Sequence, residues 1–334
     1  MLEGLRIIEF QGLGPGPFAG KWFTDHGAEV TLIARTGGDA LPGMAGDSLL
    51  DRAKQRLTLD LKQDSDREAA LELISDADGL IEGFRPGVME RLGLGPEICH
   101  ARNPRLVYGR MTGWGQDGPL AQNAGHDLTY IARSGALWYA GQPREPPFPP
   151  PTLVGDIGGG AMYLVSGMLA GFWRAAREGR GCVVDAAIVD GSAHMMALLA
   201  SIRLQGGFVT ERGASLLDGP HWSRCYRCAD GGFIAVQALE PKFYARFLDL
   251  LGLSEDPEFA RQFDPRLWPS LTGRLSRLFA QHPRDHWSAI FDGTDACVAP
   301  VLSPEEAAQD PHIRARGIWA AEAPAPAPRF FDPT

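Results

Sequence analysis

The first half of the chain alternates short runs of apolar and β-branched residues with longer stretches whose apolar positions recur at helical spacing. Leu5 to Phe10, Glu29 to Ala34, Gly79 to Glu82 and Leu106 to Met111 read as strands, and Arg56 to Leu61 alternates like a half-buried one. Phe18 to His26 and Arg67 to Ile74 read as helices between them. This rhythm predicts an α/β fold, a Rossmann-like parallel sheet covered by helices. The proline-dense run Pro143 to Pro151 must be extended. It leads into Leu153-Val154-Gly155-Asp156-Ile157-Gly158-Gly159-Gly160, which reads as a glycine-rich turn before an apolar helix over Ala161 to Arg177. A strand over Val183 to Val189 and one helix over Ser192 to Gln205 follow. From about Leu216 the texture changes. A strand at Gly232 to Val236 and helices at Pro241 to Leu251, Pro269 to Gln281 and Pro283 to Phe291 predict a smaller α+β domain. The expected division is a large domain over 1–190 completed by 310–334, a linker helix over 191–215 and a small domain over 216–309.

Composition narrows the function classes. With 44% hydrophobic and 22% charged residues, the 334-residue chain can bury a sizeable core. A net charge of −9 offers no global positive field, so no nucleic-acid partner is expected. The longest apolar window, Ala161 to Trp173, is shorter than the ~20 residues of a membrane span and reads as a buried helix, so no membrane partner is expected. Met1 to Arg6 lacks a secretory pattern, and five cysteines, an odd number, point to reduced thiols and a cytoplasmic protein. Cys225 and Cys228 form a lone Cys-x-x-Cys with no second pair, so no metal is expected.

Candidate chemistry then concentrates at a few positions. The run from Gly12 to Gly20 (GLGPGPFAG) follows the first strand. Its spacing is wrong for a dinucleotide fingerprint, and Pro15 and Pro17 lack the N–H groups of a pyrophosphate cradle, so it reads as a tight strand-to-helix turn. Arg35 ends the second strand, where an enzyme using NAD would carry an acidic residue. An arginine there suits a phosphorylated ribose, as in NADP or the 3′-phospho-ADP of coenzyme A. Arg52, Lys54, Arg56, Arg85 and Arg91 add cations suited to phosphate and purine contacts.

Gly125-His126-Asp127 opens the helical run Leu128 to Arg133. His126 sits there beside free backbone N–H groups that can receive an oxyanion, and either it or Asp127 can equally serve as a cap. Asp156 lies among small residues where a ligand can approach closely, or it caps the next helix. Glu240 stands at a strand-to-helix junction, and Phe291 to Val301 carries turn chemistry at Asp292-Gly293 and Thr294-Asp295. There is no Gly-x-Ser-x-Gly elbow, Walker loop or His-Glu-x-x-His.

These residues resemble the family III CoA-transferases, and within them the α-methylacyl-CoA racemase branch. The match is carried by GLGPGPF at 12–18, LTLDLK at 57–62, FRPGVMERLGLG at 84–95, GWGQDG at 113–118 and DIGGG at 156–160. GHD at 125–127, LEPKFY at 239–244 and FDGTDACVAPVL at 291–302 resemble the racemase branch in particular. The resemblance implies an interlocked homodimer with active sites between subunits. It implies His126 and Asp156 as the catalytic pair, with Asp127 beside them and Gly125 lining the substrate site. Glu240, as a further catalytic residue, and Cys297, as a lining one, come from the partner subunit. Coenzyme A falls to Arg35, Arg52, Arg56, Arg85, Arg91 and Tyr130. No cofactor is expected beyond the CoA moiety of an acyl-CoA substrate. The alternative within the family is a CoA-transferase with Asp156 as nucleophile. Asp51 stands where relatives often carry Asn, and Gln55 where many are basic.

Overall fold

The computed structural model describes residues 1–35, 37, 48–320 and 323–332. The chain forms two compact units. One comprises Met1–Trp138, Phe148–Ala197 and Ala325–Thr334, and the other Tyr139–Pro147 and Leu198–Pro324. Against the expected boundaries, 310–324 groups with the second unit rather than the first.

The first unit is built on strands β1 (Arg6–Phe10), β2 (Glu29–Ala34), β3 (Gln55–Thr58), β4 (Gly79–Glu82), β5 (Val107–Thr112) and β6 (Cys182–Ala187). They form one six-stranded sheet in the order β3-β2-β1-β4-β5-β6, with every neighbouring pair parallel. Helices α1 (Pro15–Asp25), α2 (Asp64–Ser75), α3 (Val88–Arg91), α4 (Pro96–Arg102), α5 (Asp127–Ser134), α6 (Met162–Glu178) and α7 (Ile188–Met195) accompany it. Successive strand residues turn to opposite faces. Ile7 therefore packs with Phe23, Leu164 and Met168, while Ile8 packs with Leu71, Ile74 and Tyr108. Covered on both faces, β4 is buried at every position, as a parallel sheet requires. The strand order reverses between β1 and β4. The ends of these two strands flank the crevice where open α/β sheets bind ligands.

The stretch read as a glycine-rich turn is helical. Leu153–Ala161 forms a π-helix that runs on into α6. The continuous helix Leu153–Glu178 has 26 residues, and an 18-residue stretch of it reaches a mean hydropathy of 1.3. By length and composition it could cross a bilayer, so the short apolar window understated it. Its inner face is a core face, however, with Leu164 and Met168 fully buried beside Gly79 and Gly109 of the sheet. The strand expected to reach Val189 ends at Ala187, where α7 begins. The single linker helix is two, α7 and α8 (Ala197–Leu204).

Lys54, counted among the phosphate-binding cations, is not available for that role. Its side chain is fully buried against Glu9 of β1. Its Nζ donates to Glu9 Oε1 at 2.8 Å and to the Pro17 carbonyl at 3.0 Å, and lies 3.2 Å from Asp51 Oδ1. The departure at Asp51 thus supplies a second carboxylate to a buried ammonium. Burial pushes the Glu9 carboxyl up to about 7 against the pull of Lys54. Residues 325–332 join the same unit through the Trp22 indole, which donates to the Ala327 carbonyl at 2.9 Å. The His26 ring meets Phe330 edge-on.

The second unit pairs strands β7 (Ser223–Arg227), β8 (Phe233–Gln237) and β9 (Val298–Val301) antiparallel. Helices α9 (Pro241–Leu250), α10 (Trp268–Phe279) and α11 (Arg284–Phe291) belong to it, around a core of Trp222, Phe247, Phe279 and Phe291. In this core His221 is fully buried. Tyr244 Oη donates to the Phe259 carbonyl, so it accepts from His221 Nε2, 2.7 Å away. That fixes the neutral tautomer with Nδ1 unprotonated, and Nδ1 has no partner among the described residues.

Burial, aided by Arg224, pushes the His221 imidazole down to about 3. The unfolded chain binds this proton below about pH 6.5 and the folded one only near 3, so stability present above pH 6.5 is lost as pH falls. The expected slope is about 1.4 kcal/mol per pH unit from this group alone. Urea unfolding of the protein and of His221→Gln between pH 7 and 5 checks it. The variant should show the shallower dependence, and equal slopes would contradict the assignment.

Candidate active site

The site grows from the meeting of α5 with the π-helix. His126 is the cap of α5, with extended φ −142° and ψ 172°. Its backbone N–H is received by Thr129 Oγ1 at 3.0 Å, and that hydroxyl donates back to the His126 carbonyl at 2.7 Å. The first N–H groups of α5, on Asp127 and Leu128, have no intrahelical acceptor and sit at the positive end of the helix. The preceding turn is braced by Tyr130, whose hydroxyl donates to the Gly125 carbonyl in a short hydrogen bond. A Cβ on Gly113 would fall 2.0 Å from the Tyr130 ring, and one on Gly125 2.5 Å from it. The aromatic ring therefore occupies space that only glycine leaves there.

Asp156 sits on the π-helix, an element that recurs at functional sites. It neither forms a turn nor caps α6. The Asp127 carboxylate reaches across from α5, and its Oδ1 accepts from the N–H of Gly155 at 2.9 Å and of Asp156 at 2.8 Å. On the far side, the π-helix closes on α7. A Cβ at Gly191 would lie 1.9 Å from the Gly159 carbonyl oxygen, and one at Gly159 would lie 2.7 Å from the Ser192 nitrogen. The glycines of DIGGG thus allow backbone-to-backbone packing, and the segment carrying Asp156 is wedged between two helices.

The carboxyl of Asp156 points to the turn after β1. Gly14 has φ 66°, and a Cβ built on it would sit 3.5 Å from Asp156 Oδ2. Pro15 stands at the first position of α1. The turn that resembles a nucleotide cradle is thus missing a donor and faces a carboxyl group, which an approaching pyrophosphate would meet. Burial pushes the Asp156 carboxyl up to about 6, the neighbouring Asp127 carboxylate adds to the rise, and His126 opposes it. At neutral pH both of its protonation states are within reach, as a group serving alternately as acid and base needs. Tyr130 is raised by burial and by Asp156, and lowered by Arg85. Arg85, beyond the end of β4, therefore belongs to the same neighbourhood.

Arg35, Arg52, Arg56, Arg85 and Arg91 are all exposed. Arg35 follows β2 directly, Arg56 lies in edge strand β3 and Arg91 ends α3. In the second unit, Glu240 caps α9 with its carbonyl, which accepts from Phe243 and Tyr244. Cys297 precedes β9 with φ 53°. Burial raises its exposed thiol, with Glu240 and Asp295 adding to the rise, so Glu240 and Cys297 are neighbours. Cys225 is exposed and Cys228 buried, both free.

Sequence reasoning missed the dependence of Asp156 on Gly14, Gly155 and Gly191. The signal was in plain view, two glycine clusters at 12–16 and 155–160 and the single Gly191, but nothing in the sequence says that they meet.

A doubly wound parallel sheet, with a carboxyl and an imidazole beside its strand-reversal point, defines an α/β enzyme that works at the carboxyl ends of its strands. Residues 2–329 match the model of CoA-transferase family III, and the chain belongs to that family. It is 40% identical over 335 residues to the mouse (Mus musculus) α-methylacyl-CoA racemase, covering 98% of this chain and 86% of the relative. Against the human (Homo sapiens) α-methylacyl-CoA racemase it is 39% identical, covering 99% and 87%. Among solved structures, a CaiB/BaiF family protein from Brucella suis superposes with a TM-score of 0.80 at 26% identity, covering 95% of this chain and 88% of that one.

Proposed function

We propose that the chain is an α-methylacyl-CoA racemase, interconverting the (R) and (S) forms of 2-methylacyl-CoA thioesters by proton transfer at the α-carbon. Identity to two racemases over nearly the whole chain supports this. The observation that carries it in the structure is the Asp156 carboxyl, pushed up to about 6 beside His126.

The α-proton of a thioester is weakly acidic, so the enolate must be stabilised as it forms. The free N–H groups of Asp127 and Leu128 supply donors for the developing oxyanion. Inversion needs one base on each face of the planar enolate. In one direction neutral His126 takes the proton and the protonated Asp156 carboxyl delivers another to the opposite face. In the reverse direction the carboxylate takes and the imidazolium delivers, so no net proton is gained or lost. Arg35, Arg52, Arg56, Arg85 and Arg91 hold the phosphates and adenine of CoA, remote contacts that orient the acyl carbon. Glu240 and Cys297 belong to the site of a homodimer in this proposal. Sedimentation equilibrium should return twice the mass of one chain, and a monomer at assay concentration would overturn that part.

Incubation with a 2-methylacyl-CoA in heavy water tests the reaction. Deuterium should enter the α-carbon, with racemisation, in the absence of any acceptor acid. A CoA-transferase would show no such uptake and would need a second carboxylic acid, and that outcome would replace the reading.

A further inference from the structure

Asp127 does something other than bind substrate. Both hydrogen bonds of its Oδ1 go to the backbone of the neighbouring element, to Gly155 N at 2.9 Å and Asp156 N at 2.8 Å. The residue is buried. A Cβ added to Gly155 would come within 2.4 Å of this same oxygen, so the contact tolerates nothing between the two segments. Asp127 is also the first residue of α5, directly after His126. One residue therefore joins the backbone that carries the imidazole to the backbone that carries the opposing carboxyl.

We propose that Asp127 is a positioning residue for the racemase reaction, with two separable roles: its oxygen fixes the π-helical segment of Asp156 relative to His126, and its negative charge, held against the Asp156 backbone N–H, acts on the carboxyl of that same residue. The inference rests on the proposed racemase reading.

Geometry and charge make different demands. An amide oxygen can accept both N–H groups as a carboxylate does, so Asn preserves the bridge and removes the charge. Ala removes both and leaves two N–H donors without an acceptor. The charged and titratable groups acting on the Asp156 carboxyl are Asp127, which raises its pKa, and His126, which lowers it. Tyr130 stands beside it and feels its charge. Without the Asp127 charge, burial alone opposes ionisation, and Asp156 gives up its proton at lower pH. The active enzyme carries one proton shared between His126 and Asp156. The acidic limb of activity, set by ionisation of the Asp156 carboxyl, therefore moves down with it.

The test is the kcat/KM profile for racemisation from pH 5 to 9 of the protein, Asp127→Asn and Asp127→Ala. Thermal unfolding is recorded for each. The expected results are an acidic limb displaced to lower pH in Asp127→Asn with the fold intact, and a fall in kcat of about a hundredfold in Asp127→Ala from misplaced groups. An unmoved acidic limb in Asp127→Asn would overturn the charge role, and an Asp127→Ala enzyme with ordinary kcat would overturn the bridging role. If Asp127→Ala does not fold, the Asn profile still decides the charge role, and Gly155→Ala, whose Cβ would fall 2.4 Å from Asp127 Oδ1, decides the bridging role, ordinary kcat there overturning it. Should the unaltered protein take up no deuterium and racemise nothing, the racemase reading itself fails, a result distinct from either.

Discussion

Replacing Asp156 with Asn is expected to lower racemisation of a 2-methylacyl-CoA by a thousandfold or more, on the order of the 10²–10⁴ that a positioned acid–base group contributes, with the wedged backbone adding sensitivity. The amide is close in size, so the packing against Gly14 and the hydrogen bonds to Asp127 survive. What is lost is the group proposed to exchange a proton with the enolate on that face. Removal of the half-buried carboxyl also removes a desolvated charge, so the thermal midpoint should not fall. Racemisation followed by chiral separation of the hydrolysed acids measures the effect. Activity within tenfold of the unaltered enzyme would show that Asp156 is not one of the two bases.

Replacing Gly191 with Ala should damage both stability and turnover from a distance. The new methyl would meet the Gly159 carbonyl oxygen at 1.9 Å. An alanine methyl has no rotamer and the oxygen is helical backbone, so only backbone movement relieves the clash, and α7 must move from the π-helix. Overpacking of this kind costs about 1–3 kcal/mol. Asp156 rides on the displaced segment, and a misplacement of about an ångström can cost a hundredfold in rate. The control is Gly273→Ala in α10, where the nearest atom to a new Cβ is the end of the Arg277 side chain at 3.6 Å. That change should be neutral or stabilising by about 0.4–1 kcal/mol. Thermal melts and racemisation rates of the two variants make the comparison. Equal behaviour would contradict the wedge between α5 and α7.

Much of the large unit is legible from residue pattern alone. β2 and β4 coincide with the runs Glu29 to Ala34 and Gly79 to Glu82 because a fully covered parallel strand is a short apolar segment with polar ends. Elements whose residues argue against them are missed. β9 contains Pro300 and follows the turn residues Asp292 to Asp295, so its local chemistry reads as loop, and only pairing with β8 makes it a strand. The π-helix is hidden for a similar reason. Four of its residues are Gly, a poor helix former, and what holds it is packing on α5 and α7 together with the Asp127 bridge.

The helix expected over Ser192 to Gln205 divides at Met196, within an apolar run that carries no breaker. At the site, residue chemistry alone left His126 and Asp156 open as caps. For His126 the structure shows the cap position, and the proposed catalytic role falls on that same residue. For Asp156 the cap is absent. Lys54 shows the converse limit, because a cation in a row of cations gives no sign that a glutamate 45 residues earlier has buried it.

The most direct measurement concerns the two faces of the enolate. Asp156→Asn and His126→Asn are each incubated in heavy water with separated (R) and (S) thioesters, and deuterium at the α-carbon is followed without regard to inversion. Each variant should exchange one enantiomer only, and the two variants should choose opposite enantiomers. If both exchange the same enantiomer, imidazole and carboxyl stand on one side of the carbon, and inversion by this pair is contradicted.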